Sequence, residues 1–254
     1  MIYSLYNKER ECLSMKKMVT YALAAVVALT AVVSVQGATM QTASAADPYA
    51  VSFSGITASA GVNVRSGPGT GYAVVGSIAG NTTVYFAGIE YGTIVNDVFL
   101  GKPDPRWYYY YENGVKRYIA SAVINGLPPT SQIRPKDRAI AWAIDQVGRT
   151  DYNGWCQMFV EHAYGTSGQY ASAIAASNAL NTGGSLASAP IGSLVFFAPA
   201  ADNGWYGHVG IYIGQNTMIN GRSSVIADNI ATSSYFSSRY TGWGNPPSSW
   251  PGRY

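Results

Sequence analysis

Apolar and polar positions alternate in short runs through the first half of the chain. Gly61-Val62-Asn63-Val64-Arg65, Tyr72-Ala73-Val74-Val75-Gly76 and Thr82-Thr83-Val84-Tyr85-Phe86 are each β-branched or aromatic, separated by turn residues, with no helical period of useful length. Later runs at residues 107–111 and 117–124 flank Glu112-Asn113-Gly114, and an Asn-Gly pair between such runs predicts a tight hairpin. Residues 96–105 read as an extended loop. The pattern predicts a small all-β barrel or sandwich. It ends at Asn125-Gly126-Leu127-Pro128-Pro129-Thr130, whose glycine and paired prolines mark a domain boundary and a stiff spacer.

Beyond the spacer the period changes. Pro135 suits a first helical turn, and Ile140, Ala143, Ile144 and Val147 recur at three and four residues until Gly148, which predicts an amphipathic helix. A second helix is expected from about Asn153 or Gly154, through Met158, Phe159, His162 and Ala163, to Gly165, with Asp151 as its cap. Residues 171–189 are mostly Ala, Ser, Asn and Gly and read as a short Ala-rich helix followed by a loop. Strands are expected at 193–197, 208–213, 217–219 and 224–227, forming an antiparallel sheet. Helices followed by strands predict an α+β domain, and no glycine fingerprint for a nucleotide is present.

The N-terminus reads differently from both halves. Lys16 and Lys17 precede an apolar stretch at 19–35, and Ala43-Ser44-Ala45 supplies small residues for signal peptidase, so residues 1–45 are expected to be a signal peptide. Met15 is a candidate true start. A membrane anchor competes with this reading, but about 17 residues is near the lower limit for a span, and Thr20, Tyr21, Thr30 and Ser34 interrupt it. The leader holds Lys8, Arg10, Lys16, Lys17, Glu9 and Glu11, so the chain's formal charge of +3 belongs mostly to it and the remainder is nearly neutral. No basic cluster remains to neutralise a phosphate backbone, which excludes nucleic acid as the expected partner. With 48% hydrophobic and 11% charged residues the chain is not a charge-driven disordered one. Its 20 Tyr and 6 Trp suit contact with sugars or neutral polymers, and equally with other proteins.

There are two cysteines, Cys12 and Cys156, and Cys12 lies in the leader. Cys156 is therefore inert and buried, paired between chains, or a working thiol. Its place just inside a helix start favours thiolate over thiol. A thiol nucleophile needs a base, and the chain has two histidines. His162 lies six residues along the same helix, about 9 Å up the axis and on the opposite side, out of reach. His208 heads an alternating strand, and Asn220, twelve residues on, is placed either to fix its tautomer or as a turn residue before Gly221. Cys156 and His208 alone make no zinc site, so no metal or cofactor is expected. Asp137, Asp145, Asp151, Glu161, Asp202 and Asp228 show no distinctive context for paired-carboxylate chemistry.

Asn153-Gly154-Trp155-Cys156-Gln157-Met158-Phe159-Val160, Ile191-Gly192-Ser193-Leu194-Val195-Phe196-Phe197 and Gly207-His208-Val209-Gly210-Ile211-Tyr212-Ile213-Gly214 resemble, in order and spacing, cell-wall hydrolases of the NlpC and CHAP type in the papain-like superfamily. The resemblance implies a helix opened by the nucleophile and packed on an antiparallel sheet, with Cys156 as nucleophile, His208 as base and Asn220 as the orienting third residue. Trp155 and Gln157, where NlpC-type enzymes carry Asp and Ser-Gly, are closer to the CHAP pattern. Val62-Asn63-Val64-Arg65-Ser66-Gly67-Pro68-Gly69-Thr70, with Gly76, resembles bacterial SH3-like wall-binding domains.

The expected organisation is a signal peptide (1–45), an N-terminal SH3-like barrel (49–125), a linker (126–133) and an α+β papain-like catalytic domain (134–254). The expected function is a secreted thiol hydrolase of peptidoglycan peptides, extracellular or wall-associated, held near its polymer by the first domain and without stable membrane association after signal cleavage. Trp155, Trp205 and Tyr206 flank the site residues as candidate groove walls, or as packing. Two other readings share the architecture: an inactive wall-binding or structural protein, and a Cys-His acyl transferase.

Overall fold

A computed structural model describes residues 52–252. The expected signal peptide, with Cys12, and residues 49–51 of the expected first domain lie outside them. Among the described residues no helix is long and apolar enough to cross a membrane.

The N-terminal half is built from eight strands: β1 (Phe53–Thr57), β2 (Val62–Arg65), β3 (Val74–Ile78), β4 (Thr83–Phe86), β5 (Gly88–Asn96), β6 (Pro103–Glu112), β7 (Val115–Ala120) and β8 (Ile124–Asn125). Alternation decides the faces. Phe53 in β1, Val62 and Val64 in β2, and Val84 and Phe86 in β4 point inward, and with Tyr108, Ile119, Ile124 and Ile133 they form one core. The predicted hairpin turn joins β6 to β7, with Asn113 (φ 51°) and Gly114 (φ 78°) both in the left-handed region that a two-residue hairpin requires.

The expected barrel does not form. The strands lie in two open sheets, one ordered β4-β1-β8 and the other β3-β2-β7-β6-β5. The reason lies in β5. Instead of returning to β1, it runs for nine residues against a ten-residue β6, so that 97–102 of the loop expected at 96–105 forms the loop of a long hairpin and only Asn96 and 103–105 belong to its strands. Side chains of β5 then face the C-terminal half, where Tyr91 and Ile94 pack against its core.

That half opens with helix α1 (Pro135–Gln146), followed by α2 (Cys156–Ala163) and α3 (Ala173–Leu180). Proline at the first turn starts α1, and Gly148 (φ 95°) and Gly165 (φ 71°) follow the ends of α1 and α2. Then come β9 (Leu194–Phe197), β10 (His208–Gly214), β11 (Thr217–Gly221), β12 (Val225–Asn229), helix α4 (Ser234–Ser237) and β13 (Tyr240–Gly244). The sheet is antiparallel in the order β12-β11-β10-β9-β13, as the α+β reading expects, with β13 added from a tail that sequence patterning leaves unassigned.

Both faces of this sheet are covered, and the alternation along β10 sorts the residues. Val209, Ile211 and Ile213 join Ile140, Ala143, Ile144, Phe159 and Val160 of α1 and α2 in one core. Tyr212 packs on the other face with Phe197, Met218, Ile230 and Phe236. His208 and Asn220 share the parity of this second face, and Cys156 belongs to the helical side.

Candidate active site

Cys156 is the first residue of α2, after a tight turn in which Gly154 takes φ 75° and the Trp155 N–H donates to the Tyr152 carbonyl at 3.0 Å. No side chain caps this helix. Asp151, the expected cap, instead pairs with Arg149 through bonds of 2.7 and 3.0 Å, which holds its carboxyl below the usual range. The first-turn N–H groups of α2 are thus left to the sulfur and to whatever binds beside it.

The half-buried Cys156 thiol is pushed up by burial, while backbone hydrogen bonds from Val209, Gln157 and Cys156 itself pull the other way. Burial wins. Burial thus works against the preference for thiolate that the helix start brings, and the thiol form is the one it favours. The Val209 contact also places the sulfur beside β10, one residue from His208.

His208 is only 8% exposed. Its ring lies 6.0 Å from that of Phe197 and 5.4 Å from that of Phe236, centroid to centroid. Burial lowers its pKa to about 4, with a further push from Arg222 against the opposing hydrogen bond of Asn220 and the charge of Asp228. The imidazole is therefore neutral at neutral pH. Its Nε2 lies 2.8 Å from Asn220 Oδ1, and because an amide oxygen only accepts, Nε2 carries the proton. Nδ1 is left as the basic nitrogen.

Asn220 is fully buried in β11, directly across from Ile226. Its Nδ2 donates to the Ile226 carbonyl at 3.2 Å and to Asp228 Oδ2 at 2.9 Å. Asp228 is a site residue that sequence reasoning passed over, since the strand expected at 224–227 stops one residue short of it. His162, set aside from its helical position, has its Nδ1 3.0 Å from the Tyr152 hydroxyl.

A buried carboxylate braces α2. Glu161 accepts from Gln157 Nε2 (2.8 Å) and from the backbone N–H groups of Gln169 (3.1 Å) and Tyr170 (2.9 Å), tying the segment after α2 to the residue following Cys156. The candidate groove residues Trp155, Trp205 and Tyr206 are 62%, 67% and 66% exposed. Trp205 holds φ 64°, a costly backbone conformation for a bulky residue. Its N–H donates to the Ala200 carbonyl at 2.9 Å, and Asn203 pins the same loop to Ala198 and Ala200. Among the described residues no group of three or more His, Cys, Asp or Glu is placed to hold a metal ion.

Residues 142–245, a span containing Cys156, His208 and Asn220, match the NlpC/P60 family. This C-terminal segment belongs to the NlpC/P60 superfamily. The association is therefore with cysteine hydrolases and, at the level of the superfamily, with peptidoglycan and with secreted or wall locations. Of the two types named by resemblance, NlpC is the one matched. No curated protein matches the chain. Solved structures similar to it include NlpC2 from Trichomonas vaginalis (12% identity, 76% of this chain and 72% of that one, TM-score 0.37). NlpC1 from the same organism is similar too (13% identity, 76% and 69%, TM-score 0.37). So is an NlpC/P60 family protein from Bacillus cereus (17% identity, 79% and 65%, TM-score 0.34).

Proposed function

We propose that the protein is a thiol hydrolase that cuts amide bonds in peptidoglycan peptides, with Cys156 as nucleophile, His208 as general base and acid, and Asn220 holding the imidazole. The observation that carries this reading is the 2.8 Å contact between His208 Nε2 and Asn220 Oδ1, which commits the ring proton to Nε2 and leaves Nδ1 free to take another.

The chemistry starts from two neutral groups. In the proposed step the His208 imidazole, seated against Phe197 and Phe236 rather than on the helical side with Cys156, has to come within reach of the sulfur; as the sulfur bonds to the carbonyl carbon its proton then passes to His208 Nδ1 and the carbonyl oxygen becomes an oxyanion. Backbone N–H groups at the uncapped start of α2 stabilise it. The C–N bond then breaks and the amine leaves with the proton from Nδ1. Water attacks the thioester, gives a proton to Nδ1, and the C–S bond breaks as the thiol recovers it. Trp155, Trp205 and Tyr206 present aromatic faces beside this centre for the glycan or peptide. In this reading residues 49–125 hold the enzyme near the wall, 126–133 link, and 134–254 catalyse, outside the cell.

The test is mass spectrometry of fragments released from defined peptidoglycan. Wild type is expected to release fragments with free amines, and Cys156→Ala to lose at least on the order of 10³-fold in rate. Products with new crosslinks would mean acyl transfer instead, and an unchanged rate in Cys156→Ala would end the thiol mechanism.

A further inference from the structure

The active-site imidazole works only if Asn220 presents its oxygen rather than its NH₂ to the ring. A carboxamide is nearly symmetrical in shape, so something must choose between its two orientations. Here the choice is visible. Both Nδ2 protons are engaged by groups that accept: the Ile226 carbonyl at 3.2 Å and Asp228 Oδ2 at 2.9 Å. Turning the amide over would aim its oxygen at two acceptors inside a fully buried site, at the cost of unmade hydrogen bonds and of repulsion.

Resting on the thiol-hydrolase reading above, we infer that Asp228 is a positioning residue of the reaction: it fixes the orientation of Asn220, and through it the tautomer of His208. The register of the β11–β12 hairpin supplies the placement. Asn220 pairs with Ile226 and Met218 with Asp228, so Asp228 projects on the same face of the sheet as Asn220, one diagonal step away. The Asp228 side chain is mostly shielded, and Arg222 approaches the same Oδ2 at 3.6 Å from the solvent side. Arg222 in turn lies 5.3 Å from the ring centre of Phe236, the residue that walls His208. The chain of contacts thus runs from the imidazole through Asn220 to a carboxylate that never touches substrate.

The test reads the tautomer directly. Nitrogen-15 NMR distinguishes Nε2–H from Nδ1–H imidazoles, and His162 gives an internal reference signal. Wild type and Cys156→Ala are expected to show His208 as the Nε2–H form. In Asp228→Ala, and in Asp228→Asn, whose amide can face Asn220 with either a donor or an acceptor, a second population with Nδ1–H is expected. With it kcat falls about tenfold or more, the size typical when an outer partner of a ligating group is removed, at unchanged KM. If Asp228→Ala does not fold, the near-isosteric Asp228→Asn supplies both readings. An imidazole that stays wholly Nε2–H with kcat retained in the folded variants overturns the role of Asp228. The thiol reading fails separately, by wild-type rates of peptidoglycan cleavage in Cys156→Ala.

Discussion

Burial, more than any single partner, shifts the two groups proposed to react, Cys156 and His208. Between Phe197 and Phe236 the His208 imidazole is held to about 4, against about 6.5 for a free one. The sign follows from proton uptake. Between those values the unfolded chain binds a proton that the folded protein refuses, so stability falls as pH drops from about 6.5 to 4. The linked loss is on the order of 3 kcal/mol. Denaturant unfolding at a series of pH values is expected to show this slope, flattened in His208→Gln. The same depression predicts that kcat/KM keeps its acid limb near pH 4, and a limb near 6.5 would contradict the neutral pair. At the alkaline side the raised thiol predicts slow alkylation by iodoacetamide at pH 7, accelerating steeply above it. The candidates for the proposed site could be picked out at this scale because the choices were few: one thiol outside the leader, two histidines, and an asparagine in the following strand. The state of the thiol was not legible, because a helix start can be read from sequence whereas desolvation by packed neighbours cannot.

Elements bring these side chains together through close contacts between strands. Gly210 lies in β10 between His208 and the sheet centre, and a Cβ there would meet Met218 Sδ at 2.5 Å, Asn220 Cβ at 3.1 Å and the Ile219 carbonyl at 3.2 Å. All three atoms belong to β11, which β12 holds on its far side, and since Met218 Sδ sits near the end of a flexible side chain the strain falls on Asn220 Cβ and the Ile219 carbonyl. Gly210→Ala is expected to destabilise by about 1–3 kcal/mol, typical of overpacking, and to lower kcat more than stability alone explains. Wild-type turnover in the folded variant would show that this approach is not needed. Local pattern foresaw the strands and helices here, since Pro135, Gly148 and Gly165 punctuate the helices and alternation marks β10. Pattern failed where pairing is non-local. Tyr240-Thr241-Gly242-Trp243-Gly244 has two glycines and reads as tail, yet it extends the sheet by pairing with β9. The N-terminal strands carry the right alternation for a barrel, but closure depends on which strands meet edge to edge, and β5 pairs only with β6 while its Tyr91 and Ile94 pack on the core of the other half.

At the scale of the molecule, β5 and its hairpin join the halves by specific bonds rather than by the spacer alone. The Tyr91 hydroxyl donates to Asp137 Oδ1 at 2.6 Å, the Ile94 N–H to Gln215 Oε1 at 3.2 Å, and Lys102 Nζ to the Asp145 carbonyl at 2.6 Å. The first is the one that matters energetically. Asp137 is buried and takes its other hydrogen bonds from Arg134, while desolvation and the nearby carboxylate push the Tyr91 phenol upward, so it remains a donor. Tyr91→Phe keeps the ring packed and deletes only the donor, leaving a buried carboxylate short of one partner, a defect that costs about 1–3 kcal/mol. The solvent-facing bond of Lys102 contributes far less, because water replaces it freely. Gln215 follows the far end of β10, and seven residues at about 3.3 Å each set it roughly 20 Å from His208. Removing the latch should therefore lower the melting temperature while leaving kcat and KM on a short soluble peptide at their wild-type values. A matching loss of kcat would show that β5 reaches the catalytic end of the sheet through α1. An unchanged melting temperature would mean that the halves are held by apolar contact of Tyr91 and Ile94 alone.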